Sequence, residues 1–187
     1  MTAFEIRIDP ETGEEYLAVH ARGDAILRDP FLNKGNAFTR DERVALGLTG
    51  LLPDQVAFLK RQMRRVRVQY DLKTSDIGKN VYLNGLMDRN ETLFYRFITD
   101  NLAETIPIVY TPTVAHACSH WSRINRRQRG IYITPRDRGR IADILRSPPA
   151  KEPPNDVLTD NQRIHGIGDP RPGRKGSPIG QLAVDTA

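Results

Sequence analysis

Alternation of apolar and polar residues is clearest at the start of the chain. FEIRI (4–8) and EYLAV (15–19) each alternate, and DPETGE between them is rich in turn formers, so the pattern predicts a β-hairpin. DPFLNKGNAF (29–38) lacks a period and reads as a loop. The period then becomes helical. Thr39 and Glu42 have the spacing of a capping box, opening a helix kept short by Gly47 and Gly50. Pro53 suits a first helical position, and Val56, Leu59, Met63 and Val66 follow at spacings of three and four. A second helix from near Ser75 holds Val81, Tyr82 and Leu86, and a third, NETLFYRFITDNLAE (90–104), sets Leu93, Phe94, Phe97, Ile98 and Leu102 on one stripe. Short breaks between these three predict an antiparallel cluster.

Beyond Thr105 the pattern changes. IPIVY (106–110) is short, β-branched and apolar, as a buried strand is. Thr113 is placed to cap a helix through Asn125, with Val114, Cys118, Trp121 and Ile124 inward. GIYIT (130–134) reads as a second strand, and Thr134 with Asp137 repeats the capping spacing around Pro135, opening a helix to Leu145. SPPAKEPPND (147–156) is a proline-rich surface connection, and VLTD (157–160) a third strand. Gly176, Ser177 and Pro178 read as a turn before a helix over 179–187. The expected fold class is therefore α/β: a hairpin and lead-in (1–28), a helical part (29–104), then an α/β part (105–187) with a small parallel sheet and crossover helices.

Composition narrows the function. The 187 residues have no apolar run near the roughly 18 that a membrane helix needs. Residues 1–20 lack the basic start and apolar centre of a signal peptide, so a cytoplasmic location is expected. The single cysteine, Cys118, excludes an internal disulfide and a four-cysteine zinc site. A net charge of +5 invites a nucleic-acid reading, but the basic clusters at 60–67 and 123–140 mostly fall on helical segments and read as solvated faces, with no binding motif.

Candidate chemistry is sparse on residue type alone. His116 and His120 share the i,i+4 spacing that can chelate a metal, without the glutamate that usually accompanies it. GIGDPRPG (166–173) has two glycines of a dinucleotide fingerprint, with Arg171 at the third position. Tyr110 ends the expected strand, where a phenol can exchange a proton with a substrate or simply bond to backbone within a core.

LNKGNAFTRDERVALGLTGLLP (32–53), DRNETLFYRFITDNLAETIPIVYTPTVAHACSHWSRINRRQRGIYITPRDRGRI (88–141) and LTDNQRIHGIGD (158–169) resemble, in order, the signatures of the malic enzymes. These enzymes oxidise and decarboxylate malate to pyruvate with NAD or NADP and Mg²⁺ or Mn²⁺. The resemblance spans roughly residues 20–187 and implies a malic-enzyme amino-terminal domain over 29–187, like that of the amino-acid dehydrogenases, with the NAD(P)-binding domain absent. It implies that Tyr110, in VYTPTV, is the general acid that protonates the enolpyruvate carbon. It implies that Arg163, in TDNQRI, binds the substrate carboxylate, to which a guanidinium offers paired donors. The family's base lysine, in a GIPVGKL-like run, falls on Gln181 of GSPIGQL. A neutral amide has no protonation equilibrium near pH 7 and cannot accept the proton of the malate 2-hydroxyl. Lys175, six residues upstream across a proline, is not an obvious substitute.

PRPGRKGS (170–177) shares little with the family's glycine-rich stretch of the same length, the mark that compensating frameshifts leave. The resemblance also implies that the acidic metal ligands and the nucleotide-binding domain come later in the chain. No cofactor or metal is therefore expected for these residues alone, and the family activity is expected to be lost in a truncated or degenerate copy. The expected partners are malate- or pyruvate-type acids, a second copy, or a full-length malic enzyme; no nucleic acid or membrane is expected. The alternative function is a non-catalytic interaction module.

Overall fold

The structure, a computed structural model, describes residues 4–124, 127, 129–147, 157–159 and 175–187. It divides into two compact units, one of residues 1–72 and 86–97, the other of 73–85 and 98–187.

In the first unit, β1 (Phe4–Ile8) and β2 (Glu15–Val19) pair antiparallel with Ile6 opposite Leu17, as the alternation predicts. Asp9 closes the turn by accepting the N–H groups of Glu11 and Thr12. Phe4 and Val19 pack on a core of Ile26, Leu32, Phe38 and Leu48, where Ile26 comes from α1 (Asp24–Arg28). The capping box at Thr39 and Glu42 is present and opens α2 (Arg40–Ala45). Gly47 and Gly50, at φ 70° and 82°, take the left-handed conformation that ends it cheaply.

The helix expected from Pro53 begins later, as α3 (Leu59–Asp71). The cause is tertiary. The buried Arg43 guanidinium donates to the carbonyls of Phe38, Pro53 and Asn36, at 2.9, 2.7 and 3.3 Å. The Pro53 carbonyl is thereby drawn out of any intrahelical ladder. Val66 and Tyr70 of α3 face inward, while Lys60, Arg61, Arg64 and Arg65 are exposed, the solvated face expected of that cluster. Tyr70 meets Phe97 in a tilted pair, centroids 5.0 Å apart, with Phe94 and Leu93 also buried.

The remaining helices are α4 (Asp76–Met87), α5 (Glu91–Asp100), α6 (Leu102–Val109), α7 (Thr113–Ser119), α8 (Trp121–Ile124), α9 (Ile141–Leu145) and α10 (Gly176–Thr186). Ser75 and Asn90 accept the N–H groups of Gly78 and Leu93, fixing the starts of α4 and α5. None of the described helices is long and apolar enough to cross a membrane.

Several strand expectations are corrected. IPIVY lies within α6 and its end, with Pro107 inside the helix. A short apolar run does not separate strand from buried helix. Here Thr105 bonds back to Asn101, and the Asn80 side-chain amide donates to the Ile108 carbonyl at 2.8 Å, so the helix satisfies its own polar groups. Residues 130–134 form neither helix nor strand and are exposed, and 157–159 carry no strand. Among the described residues the sheet is the β1–β2 hairpin, and no parallel sheet with crossovers is present. The capping box at Thr134 and Asp137 is present, but it closes a short 3₁₀ turn, and Gly139 at φ 84° interrupts it before α9. Thr113 is a buried helical residue rather than a cap, and α7 and α8 divide near His120. α10 starts at Gly176; Pro178 falls among the first four positions, whose N–H groups have no intrahelical acceptor anyway. The connection at 148–156 lies outside the described residues.

Candidate active site at the α6–α7 corner

Tyr110 sits where α6 ends and the chain turns into α7. Its N–H donates to the Ile106 carbonyl and its carbonyl accepts from Val114 N–H, both at 2.8 Å, so the corner is clamped on both sides of this one residue. The Thr111–Pro112 bond that follows is cis. Tyr110 as a residue is half-buried.

Helix α10 packs on this corner through small residues. A Cβ on Gly180 would lie 2.5 Å from the Val109 carbonyl oxygen and 3.4 Å from both the Tyr110 ring and Val114 Cγ2. One turn earlier, a Cβ on Gly176 would lie 2.9 Å from the Trp121 ring and 3.1 Å from Cys118 Sγ. Gly176, Gly180 and the buried Ala183 are spaced by four and three, so they form one bare face that lets backbone meet backbone. The next residue after Gly180 is Gln181, half-buried. The fold thus brings the segment holding Gln181 against Tyr110, although the two lie 71 positions apart in the chain. Neither glycine draws attention in the sequence, where Gly176 reads as part of a turn and Gly180 as part of a helix.

Asn80 was also missed. It is buried, holds the Ile108 carbonyl, and receives a bond from the Asn84 amide at 3.0 Å. An asparagine on an amphipathic helix gives no sign of burial until its partner is known. Arg163, the expected carboxylate clamp, and most of the divergent stretch 170–177 lie outside the described residues.

Both histidines lie exposed at the surface. His116 lies in α7, whereas His120 is its C-cap, with Nδ1 3.0 Å from the His116 carbonyl oxygen. That bond aims the second ring at its own helix end. Among the described residues no group of three His, Cys, Asp or Glu side chains could hold a metal ion, so they do not provide a divalent-metal site. Chemically, the corner can offer a phenol proton through Tyr110, while the amide of Gln181 can hydrogen-bond but neither gains nor loses a proton near neutrality.

Similarity to known proteins bears on the family. The family described as "Malic enzyme, N-terminal domain" matches residues 87–187, which include the whole corner and α10. The NAD-dependent malic enzyme of Pseudomonas aeruginosa strain PAO1 is 43% identical over 177 residues, 95% of this chain and 31% of its own length. That of Pseudomonas savastanoi pv. phaseolicola is 46% identical over 171 residues, 91% of this chain and 30% of its own. That of Idiomarina loihiensis is 44% identical over 178 residues, 95% of this chain and 32% of its own. The chain thus spans about a third of the length of these relatives. With its amino-terminal-domain match covering more than half of the residues, this chain belongs to the malic enzyme family.

Proposed function

We propose that residues 29–187 are the substrate-binding part of an NAD-type malic enzyme, a family that converts malate to pyruvate by oxidative decarboxylation, and that this protein works in the cytoplasm. The observation that carries this reading is the packing of α10 on the Tyr110 corner through Gly180. It sets the expected proton donor beside the segment where the family keeps its base. Tyr110 protonates the enolpyruvate carbon, and Arg163 pairs with a substrate carboxylate. Gln181 orients the 2-hydroxyl without taking its proton. The cofactor supplies hydride acceptance when bound, and these 187 residues contain no three-glycine dinucleotide fingerprint to hold one. The chain on its own therefore binds malate-type acids without turning them over.

Isothermal titration with L-malate tests the binding. Saturable heat that disappears in Arg163→Ala is expected; heat indifferent to Arg163 contradicts the assignment. A second reading, self-association or pairing with a full-length malic enzyme, is favoured by the hairpin. Ile6, Ile8 and Leu17 share one face and are exposed. Sedimentation of Ile6→Lys against the parent tests it, a shift toward monomer being expected and an unchanged profile counting against it.

A further inference from the structure

Lys175 precedes α10 and is an anomaly of charge and burial. The residue is 8% exposed, and its Nζ is out of solvent with no hydrogen-bond partner among the described residues. Instead Nζ lies over the Tyr132 ring, 3.4 Å from the centroid. On another side stands Gly130, where a Cβ would be 3.3 Å from Lys175 Cε. Ring quadrupole attraction offsets part of the desolvation cost of an ammonium, but not as a carboxylate does. Burial accordingly pushes the Lys175 amine below the ordinary lysine value. The cover is thin: Tyr132 is 43% exposed and sits in a stretch with neither helix nor strand.

Among the described residues, an amine in this position lacks two things, a proton it can hold cheaply and a negative charge beside it. A small 2-oxo acid suits both conditions. We propose that Lys175 is a site of imine formation with small 2-oxo acids, enclosed by Tyr132 and Gly130. The neutral amine attacks the carbonyl carbon, and the carbonyl π pair moves to oxygen. A proton passes from nitrogen to oxygen to give the carbinolamine, and a second proton, taken from solvent, lets water leave as the C=N bond forms. Neutral amine, 2-oxo carboxylate and one solvent proton thus give iminium and water with no oxidation. The iminium keeps its positive charge over the Tyr132 face, and the ligand's own carboxylate, attached to the imine carbon, supplies the counter-charge that none of the described residues provides. A neutral aldehyde lacks that carboxylate. This inference rests on Lys175 and its surroundings, not on the malic-enzyme reading, and its test does not depend on malate binding.

The test is reductive trapping on the full chain with glyoxylate and cyanoborohydride at neutral pH, followed by peptide mass spectrometry. The chain has six lysines, so the other five serve as internal controls. Labelling at Lys175 is expected to run at least about fivefold faster than their mean, because desolvated lysines are the activated ones. Acetaldehyde is expected to show a smaller preference for Lys175 than glyoxylate, and Lys175→Arg to lose the fast label while keeping the parent Trp121 fluorescence. Labelling at Lys175 no faster than at the other lysines would overturn the proposal. So would an equal or larger preference with acetaldehyde.

Discussion

The two units hold their helices in opposite ways. In the first, large side chains fill the space between elements: Phe38, Tyr70, Phe94 and Phe97 are all buried, and Arg67 lies over the rings of Tyr70 and Phe97. In the second, the α6–α7–α10 contact works by leaving side chains out, with Gly176, Gly180, Ala117, Cys118 and Ala183 at the approach. Filled packing is sensitive to removing atoms, whereas bare packing is sensitive to adding them. The candidate site falls in the bare region, where the position of Tyr110 relative to α10 depends on how closely two backbones meet.

The largest expected effect breaks the filled region. Phe97→Ala should cost about 3–5 kcal/mol in denaturant unfolding, the range for a fully buried aromatic. Next, Gly180→Ala should cost about 1–3 kcal/mol, since one methyl meets the Val109 carbonyl oxygen, and it should alter the fluorescence of Trp121, which borders α10. A neutral Gly180→Ala would remove the contrast between the two regions. Arg43→Met should cost about 2 kcal/mol by leaving the buried Phe38 carbonyl without its donor.

Local chemistry explains what was readable beforehand. Both capping boxes need only residues three apart, and the hairpin needs only alternation and a turn, so these appear wherever their residues do. The start of α3 was misplaced because Arg43, ten positions away from Pro53, claims its carbonyl. IPIVY was read as a strand because nothing within five residues reveals that Asn80 and α10 wait on either side of a helix end. Tyr110 and Gln181 were reached only through resemblance to a family, since a tyrosine and a glutamine carry no signature by spacing. The burial of Lys175 was hidden because it lies in a run of charged residues and glycines that reads as solvent-facing.

The smallest effects sharpen the contrast at its edges. Thr39→Ala should cost about 1 kcal/mol, the value of a lost N-cap. Burial pushes the Glu42 carboxyl up, but bonds from Lys34 and Thr39 outweigh that and hold it low. The Thr134 hydroxyl, and then its N–H, do the same for Asp137. A carboxyl lowered on folding adds stability above its unfolded value, and that stability is lost as pH falls through the folded value. Acid unfolding below about pH 4 should therefore be shallower in Lys34→Met, which removes the largest of the lowering bonds on Glu42, than in the parent. Equal slopes would deny the bond a role.

The central proposal is that Tyr110 serves as the proton donor of a malic-enzyme site, while Gln181 cannot act as its proton acceptor. The most direct measurement incubates the purified 187-residue protein with L-malate, Mn²⁺ and NAD and follows reduced nicotinamide by absorbance. The account predicts a trace indistinguishable from a protein-free blank. Reduced nicotinamide accumulating in proportion to protein concentration, with pyruvate appearing alongside it, would contradict it.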